Sequence, residues 1–141
     1  MGGFLNSFVR HADVLKIANL AQIVNVIAPL LTSGDRMLTQ PTFYPFEMMT
    51  KRREGVSLRL ALSGPCYEGK THGKVSVIDA SAILNHSRLS VFLVNRSQTE
   101  PAPVAIALAD CGIVGLESAE CLTGPGAKAV NTFDDQAVRP K

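Results

Sequence analysis

The sequence predicts an α+β chain of two unlike parts: an α/β slice over residues 1–53, then a mainly antiparallel β-sandwich over residues 54–141. Three observations carry that reading. Phe4, Leu5, Phe8, Val9, Ala12, Leu15, Ala18 and Leu20 recur at three- and four-residue spacing, with Asn6, Arg10, Asp13 and Lys16 between them. This is the pattern of an amphipathic helix lying on an apolar surface. Ile23, Val24, Val26 and Ile27 then form a short β-branched run ended by Pro29. Such runs belong to strands buried on both faces of a parallel sheet, and a helix feeding one is half of an α/β repeat. Beyond Gly55 the period changes to two: Val56, Leu58, Leu60 and Leu62 alternate with Ser57, Arg59, Ala61 and Ser63, a half-buried strand.

The elements between these landmarks follow in order. Residues 32–40 are polar, with Ser33-Gly34-Asp35 as a turn cluster, and read as a loop. Pro41 keeps Gln40 extended, because the residue before a proline is pushed out of the helical region. Pro45 opens a short helix at its first turn, and Lys51, Arg52 and Arg53 close it at the negative end of its dipole. Further strands are expected at 75–80, 89–95, 104–109, 113–122 and 128–133, separated by turn signals such as Ser63-Gly64-Pro65 and Gly124-Pro125-Gly126. Short strands at this spacing are the signature of an antiparallel sandwich. No further strand follows Val138-Arg139-Pro140-Lys141. The sandwich is therefore expected to be incomplete, with an open edge of the kind natural sheets avoid.

Composition narrows the function classes. Apolar residues make up 46% and charged residues 18% of the 141, which fits a globular chain rather than a disordered one. A net charge of +2 with scattered basic residues gives no footprint for nucleic acid. Lys16, Asn19, Gln22 and Asn25 interrupt the apolar stretch 14–31, so no membrane span is read there. The three cysteines, Cys66, Cys111 and Cys121, form no CxxC pair and read as buried thiols of a reducing, cytoplasmic compartment. Cys66 has no basic neighbour that would make it a nucleophile.

His11, among core residues beside Asp13, reads as a structural pair, while His72 and His86 fall in turn-like, solvent-facing segments. Asp134-Asp135 lacks the further oxygen ligands of a calcium site. No catalytic residue, metal ligand or cofactor site is read in the chain. Asn85-His86-Ser87 and Asn95-Arg96-Ser97 fit the glycosylation sequon, which matters only in a secreted protein.

Two longer stretches are more specific. SFVRHADVLKIANLAQIVNVIAPLLT, followed by QPTFYPFEMM, closely resembles the end of the catalytic barrel of family 51 α-L-arabinofuranosidases, and LSVFLVNRS and AVNTFDDQAVRP resemble the sandwich strands of that family. The resemblance implies that residues 1–53 are the final helix–strand–helix of a (β/α)8 barrel and residues 54–141 its C-terminal β-sandwich. It also implies a parent hydrolase that releases terminal α-L-arabinofuranosyl groups with retention. Its substrate would be an arabinose-bearing oligo- or polysaccharide, and its assembly a homo-oligomer, commonly a hexamer. The two glutamates of that reaction would lie upstream of Met1, so the 141-residue chain is expected to be truncated at both ends and inactive by itself. One residue carries over. Gln40, ahead of Tyr44-Pro45-Phe46, matches a glutamine that contacts arabinose. Pro41 stands where many members have threonine, which makes Thr39 the alternative. An amide at the end of a barrel strand can donate to and accept from sugar hydroxyls.

Two other classes compete with the enzyme reading. A free-standing carbohydrate-binding module would display aromatic platforms, and the absence of Trp with only two Tyr argues against it. A purely oligomerising piece is the third possibility.

Overall fold

The computed structural model describes residues 1–141. Its organising unit is a three-stranded antiparallel sheet with a helix on one face. Helix α1 (Gly2–Arg10) packs on the strands β3 (Val56–Leu58), β6 (Ile78–Asn85) and β7 (Arg88–Asn95), which lie in the order β3-β6-β7. Three separate two-stranded ladders complete the pairing. These are β1 (Leu30–Ser33) with β2 (Arg36–Thr39), β4 (Cys66–Gly69) with β5 (Gly73–Ser76), and β8 (Leu122–Thr123) with β9 (Arg139–Pro140). Helix α2 (Phe43–Thr50) follows β2. Every ladder between named strands is antiparallel, which the period-two pattern predicts for those beyond Gly55 but not for β1–β2.

The centre is β6. Its ladder with β7 runs from Ile78↔Asn95 to Asn85↔Arg88, closed by a two-residue turn in which His86 takes a left-handed φ of 52°. On its other edge Val56, Ser57 and Leu58 face Leu84, Ile83 and Ala82. With neighbours on both edges and a helix on one face, Asp79 to Ile83 are all buried. Gly55 enters this sheet at φ 121°, where a Cβ would collide with the Leu84 carbonyl, so only glycine fits.

Alternation along β6 places Asp79, Ser81 and Ile83 on the face that meets α1, and the polar members of that row build a buried knot. Asn6 Nδ2 donates to Asp79 Oδ2 at 3.0 Å, and Ser81 Oγ donates to Asn6 Oδ1 at 2.8 Å. Arg10 Nη1 donates to Asp79 Oδ1 at 2.9 Å and to the Ala80 carbonyl at 2.7 Å, and Arg96 Nη2 lies 3.2 Å from the same carboxylate oxygen. No buried side-chain nitrogen or oxygen in the chain lacks a partner, the condition under which a buried polar network stabilises rather than destabilises. Ser57 Oγ donates to the Val9 carbonyl at 2.7 Å and satisfies one of the open acceptors at the end of α1.

Several sequence expectations are corrected. The first helix, expected over residues 4–20, stops at Arg10. The strand expected at Ile23–Ile27 is a turn. Asn25 and Val26 have φ of 63° and 58°, and Asn25 closes the bend by accepting from Thr32 N at 2.7 Å and donating to Thr32 Oγ1 at 3.0 Å. Of the β-branched run only Val24 pairs, in an isolated parallel bridge to Leu30, so no ladder forms. The polar stretch 32–40, expected as a loop, is instead a hairpin, with Gly34-Asp35 as its turn between Ser33 and Arg36.

Helix α2 begins at Phe43 rather than Pro45. The proline then sits within the first turn, where its missing N–H costs nothing. The strands expected at 104–109, 113–122 and 128–133 are absent apart from Leu122–Thr123, and the strand at 56–62 shortens to Val56–Leu58. His11 is exposed and bonds Ser7 O at 2.7 Å through Nδ1, with no ion pair to Asp13. All three cysteines are free and exposed, not buried. No helix is long and apolar enough to cross a membrane.

Candidate functional site

Gln40 sits where the β1–β2 hairpin hands the chain to α2. Strand β2 exists because Leu31 faces Leu38 and Leu30 faces Thr39 across the ladder, with Leu38 buried. Pro41 ends the strand, and Phe43 N donates to Gln40 O at 3.0 Å as the chain turns into the helix. Gln40 is half-buried. Its backbone N–H donates to Pro29 O at 2.8 Å, and its side-chain Nε2 donates to Ala28 O at 2.8 Å. Both bonds tie it to the segment entering β1. Its Oε1 accepts no hydrogen bond from the chain and is not a buried unsatisfied atom, so one end of the amide stays available. Thr39, the alternative, turns its carbonyl to Asn131, whose Nδ2 donates to it at 3.0 Å.

The C-terminal segment flanks this strand along its length. Asn131 Nδ2 also donates to Val138 O at 2.9 Å, and Asn131 Oδ1 accepts from Val138 N at 2.9 Å, which closes the loop 131–138 on itself. At the other end of β2, Arg36 donates to Phe133 O and to Asp134 Oδ1 at 2.6 and 2.7 Å and lies over the Phe133 ring at 5.1 Å. Asp134 thus serves an ion pair across the hairpin tip. Sequence reasoning missed both Asn131 and Arg36. The signal available was two polar side chains at the ends of apolar runs, and their partners lie over ninety residues away in sequence.

Around the site the surface is apolar and open. A groove of about 540 Å³ beside α2 is lined by Leu20, Ile23, Pro29, Leu30, Phe43 and Phe46 among others. A second, of about 280 Å³, runs between α1 and α2 with Leu5, Phe8, Val9 and Met49 in its wall. Gln40 lines neither. The remaining sequence-flagged residues are scattered. His72 and His86 lie exposed in the β4–β5 and β6–β7 turns, and no cluster of three His, Cys, Asp or Glu side chains forms.

The chain is similar to known proteins over its whole length. The family profile of the alpha-L-arabinofuranosidase C-terminal domain matches residues 1–141. The chain is 35% identical over 134 residues to an intracellular exo-α-(1→5)-L-arabinofuranosidase of Streptomyces lividans, covering 94% of this chain and 20% of that protein. It is 35% identical over 138 residues to an exo-α-(1→6)-L-arabinofuranosidase of Bifidobacterium longum, covering 96% of this chain and 26% of that protein. Among solved structures, a family 51 α-L-arabinofuranosidase from Bifidobacterium longum superposes with a TM-score of 0.89 at 30% identity, over 99% of this chain and 28% of that one. The chain thus spans 20–28% of the length of these relatives.

Proposed function

The chain belongs to the α-L-arabinofuranosidase C-terminal domain family, and we propose that it is the C-terminal part of a glycoside hydrolase that removes terminal α-L-arabinofuranosyl groups from oligo- or polysaccharides. The observation that carries this is the match over the whole of residues 1–141, at both the family and the structural level. In this reading residues 1–53 finish a (β/α)8 catalytic barrel and residues 54–141 contribute to a C-terminal β-sandwich. The exposed apolar side chains support it: Val14, Ile17, Ile23, Val26 and Ile27 are all largely open to solvent. An apolar surface of this extent marks a place where further protein packs.

The chemistry then resides elsewhere in the full-length protein. Retention requires an acid/base and a nucleophilic carboxyl roughly 5 Å apart across the scissile bond, and the two grooves beside α1 and α2 carry one carboxylate between them, Glu47. Gln40 is this chain's contribution to the substrate site: Oε1 accepts from an arabinose hydroxyl while Nε2 keeps the side chain anchored on Ala28 O. The relative from Streptomyces lividans is described as intracellular, which supports a cytoplasmic setting, and a homo-oligomeric, hexameric parent completes the proposal.

The test is to express the full-length protein and the 141-residue chain separately on an aryl α-L-arabinofuranoside. The full-length protein is expected to release L-arabinose with its α-configuration retained at the first turnover, followed by NMR, and the chain alone to release none. Turnover by the isolated chain, or none by the full-length protein, overturns the reading.

A further inference from the structure

We propose that Asn131 is a positioning residue for Gln40, so that the C-terminal segment holds one strand end of the substrate site; this rests on the assignment of Gln40 to that site. The peptide unit joining Thr39 to Gln40 is gripped from both sides. Its carbonyl accepts from Asn131 Nδ2 at 3.0 Å, and its N–H donates to Pro29 O at 2.8 Å. A peptide unit is planar, so fixing both of its polar ends fixes the plane and the position of the Gln40 Cα, from which the side chain reaches Ala28 O through Nε2 at 2.8 Å. The grip from the Asn131 side is itself rigid. Asn131 is only 7% exposed, and its amide uses its carbonyl oxygen and its NH2 on Val138 N and Val138 O as well. Val138 is buried and leads into β9.

The second grip is at the far end of β2, where Phe133 and Asp134 of the same loop hold Arg36. Loop 131–138 therefore spans the strand from tip to base, and Asn131 is its contact nearest Gln40. An amide is the side chain this position needs, because it faces two carbonyls and one N–H at once. A carboxylate would set an oxygen against Thr39 O and Val138 O.

The experiment uses the full-length protein with an aryl α-L-arabinofuranoside and compares Gln40→Ala, Asn131→Asp and the double variant. Misplacing a substrate contact by about 1 Å costs up to about a hundredfold, so Asn131→Asp is expected to lower kcat/KM about tenfold or more. The double variant is expected to fall no further than Gln40→Ala alone, since a side chain that is gone cannot be misplaced. A merely structural role of Asn131 would instead give multiplicative losses, and that result overturns the inference. So does an Asn131→Asp variant within about twofold of the parent while Gln40→Ala is impaired. Unimpaired Gln40→Ala overturns the site assignment, and the inference with it. Asn131→Ser, which introduces no buried charge, serves the same comparison where the aspartate variant does not fold.

Discussion

Residues 78–95 and residues 99–121 are written in similar letters and end in opposite states. The first stretch carries IDASAIL and LSVFLVN, the second VAIALA and GIVGLES. The first forms an eight-residue ladder and supplies five consecutive buried residues. The second has no regular element, with Leu116 83% exposed and Val114 fully so. What differs is company. Strand β6 has β3 on one edge, β7 on the other and α1 on its face. Residues 99–121 are held at their two ends, by Asn95 on the Glu100 carbonyl and by the backbone pair of Cys121 with Lys141, and between them by the ion pairs of Arg88 with Glu117 and Arg52 with Glu120. Alternation specifies which side chains share a face, while strand formation depends on a neighbour to pair with.

The largest way to break this contrast is to remove the polar centre of the ordered half. In Asp79→Ala the Arg10 and Arg96 guanidiniums and the Asn6 amide lose their shared acceptor inside the packed layer. Both arginines are about a third exposed, and Arg10 keeps the Ala80 carbonyl and Asn6 the Asp79 carbonyl, so the loss is that of charge-assisted hydrogen bonds, about 1.5–3 kcal/mol. Chemical denaturation should show the loss, and an unchanged midpoint would mean that the knot contributes nothing to the packing of α1 on β6.

Next in size is Gly55→Ala. A φ of 121° is outside the range an alanine tolerates, and its methyl meets the Leu84 carbonyl. Strain of this kind costs about 1–3 kcal/mol, and it falls on the β3–β6 register rather than on the knot. Thermal unfolding should show the lower midpoint. Protection of amide hydrogens should fall first at Val56 to Leu58, leaving the β6–β7 ladder intact.

The legibility of the sequence followed the same division. The strand 89–95 was readable because alternation, a turn at Asn85-His86-Ser87 and a real neighbour coincide there. The strand at Ile23–Ile27 was misread because a continuous apolar run implies burial on both faces, and here only Val24 finds a partner, in an isolated parallel bridge to Leu30. Residues 32–40 were misread in the other direction: their polarity hid a hairpin whose pairing rests on Leu31 and Leu38. Pro41 and the following helix made the extended Gln40 ahead of a helix legible, but not the strand Arg36–Thr39 that it follows, because those residues read as a polar loop. The grip of Asn131 on that strand end was not legible either, since nothing local in either segment encodes a contact across ninety-two residues.

A smaller effect is expected from the tether of the open half. Arg88 and Glu117 form a two-point pair at 2.7 Å on each oxygen, with both side chains about two-thirds exposed. Exposed pairs are worth about 0.2–1 kcal/mol and weaken as salt rises. Glu117→Gln should therefore shift the unfolding midpoint of the chain slightly at low salt and not at all at high salt. A large, salt-independent loss would show that residues 99–121 are packed in a way that their exposure does not express.

The smallest effect sharpens the comparison most. Val114 makes no burial in this chain, so Val114→Ser should leave the unfolding midpoint of the isolated chain where it was, as surface changes of this kind do. The same substitution in the full-length protein asks whether alternation in residues 99–121 is a pattern waiting for a neighbour. If the remaining length of the parent supplies one, the valine becomes buried there and its loss lowers the midpoint, while cleavage of this segment by a protease is fast in the chain and slow in the full-length protein. If both proteins ignore the substitution and are cut at the same rate, the apolar residues here have no partner in either. The ordered half would then differ from the open half by its own composition and not by the company it keeps.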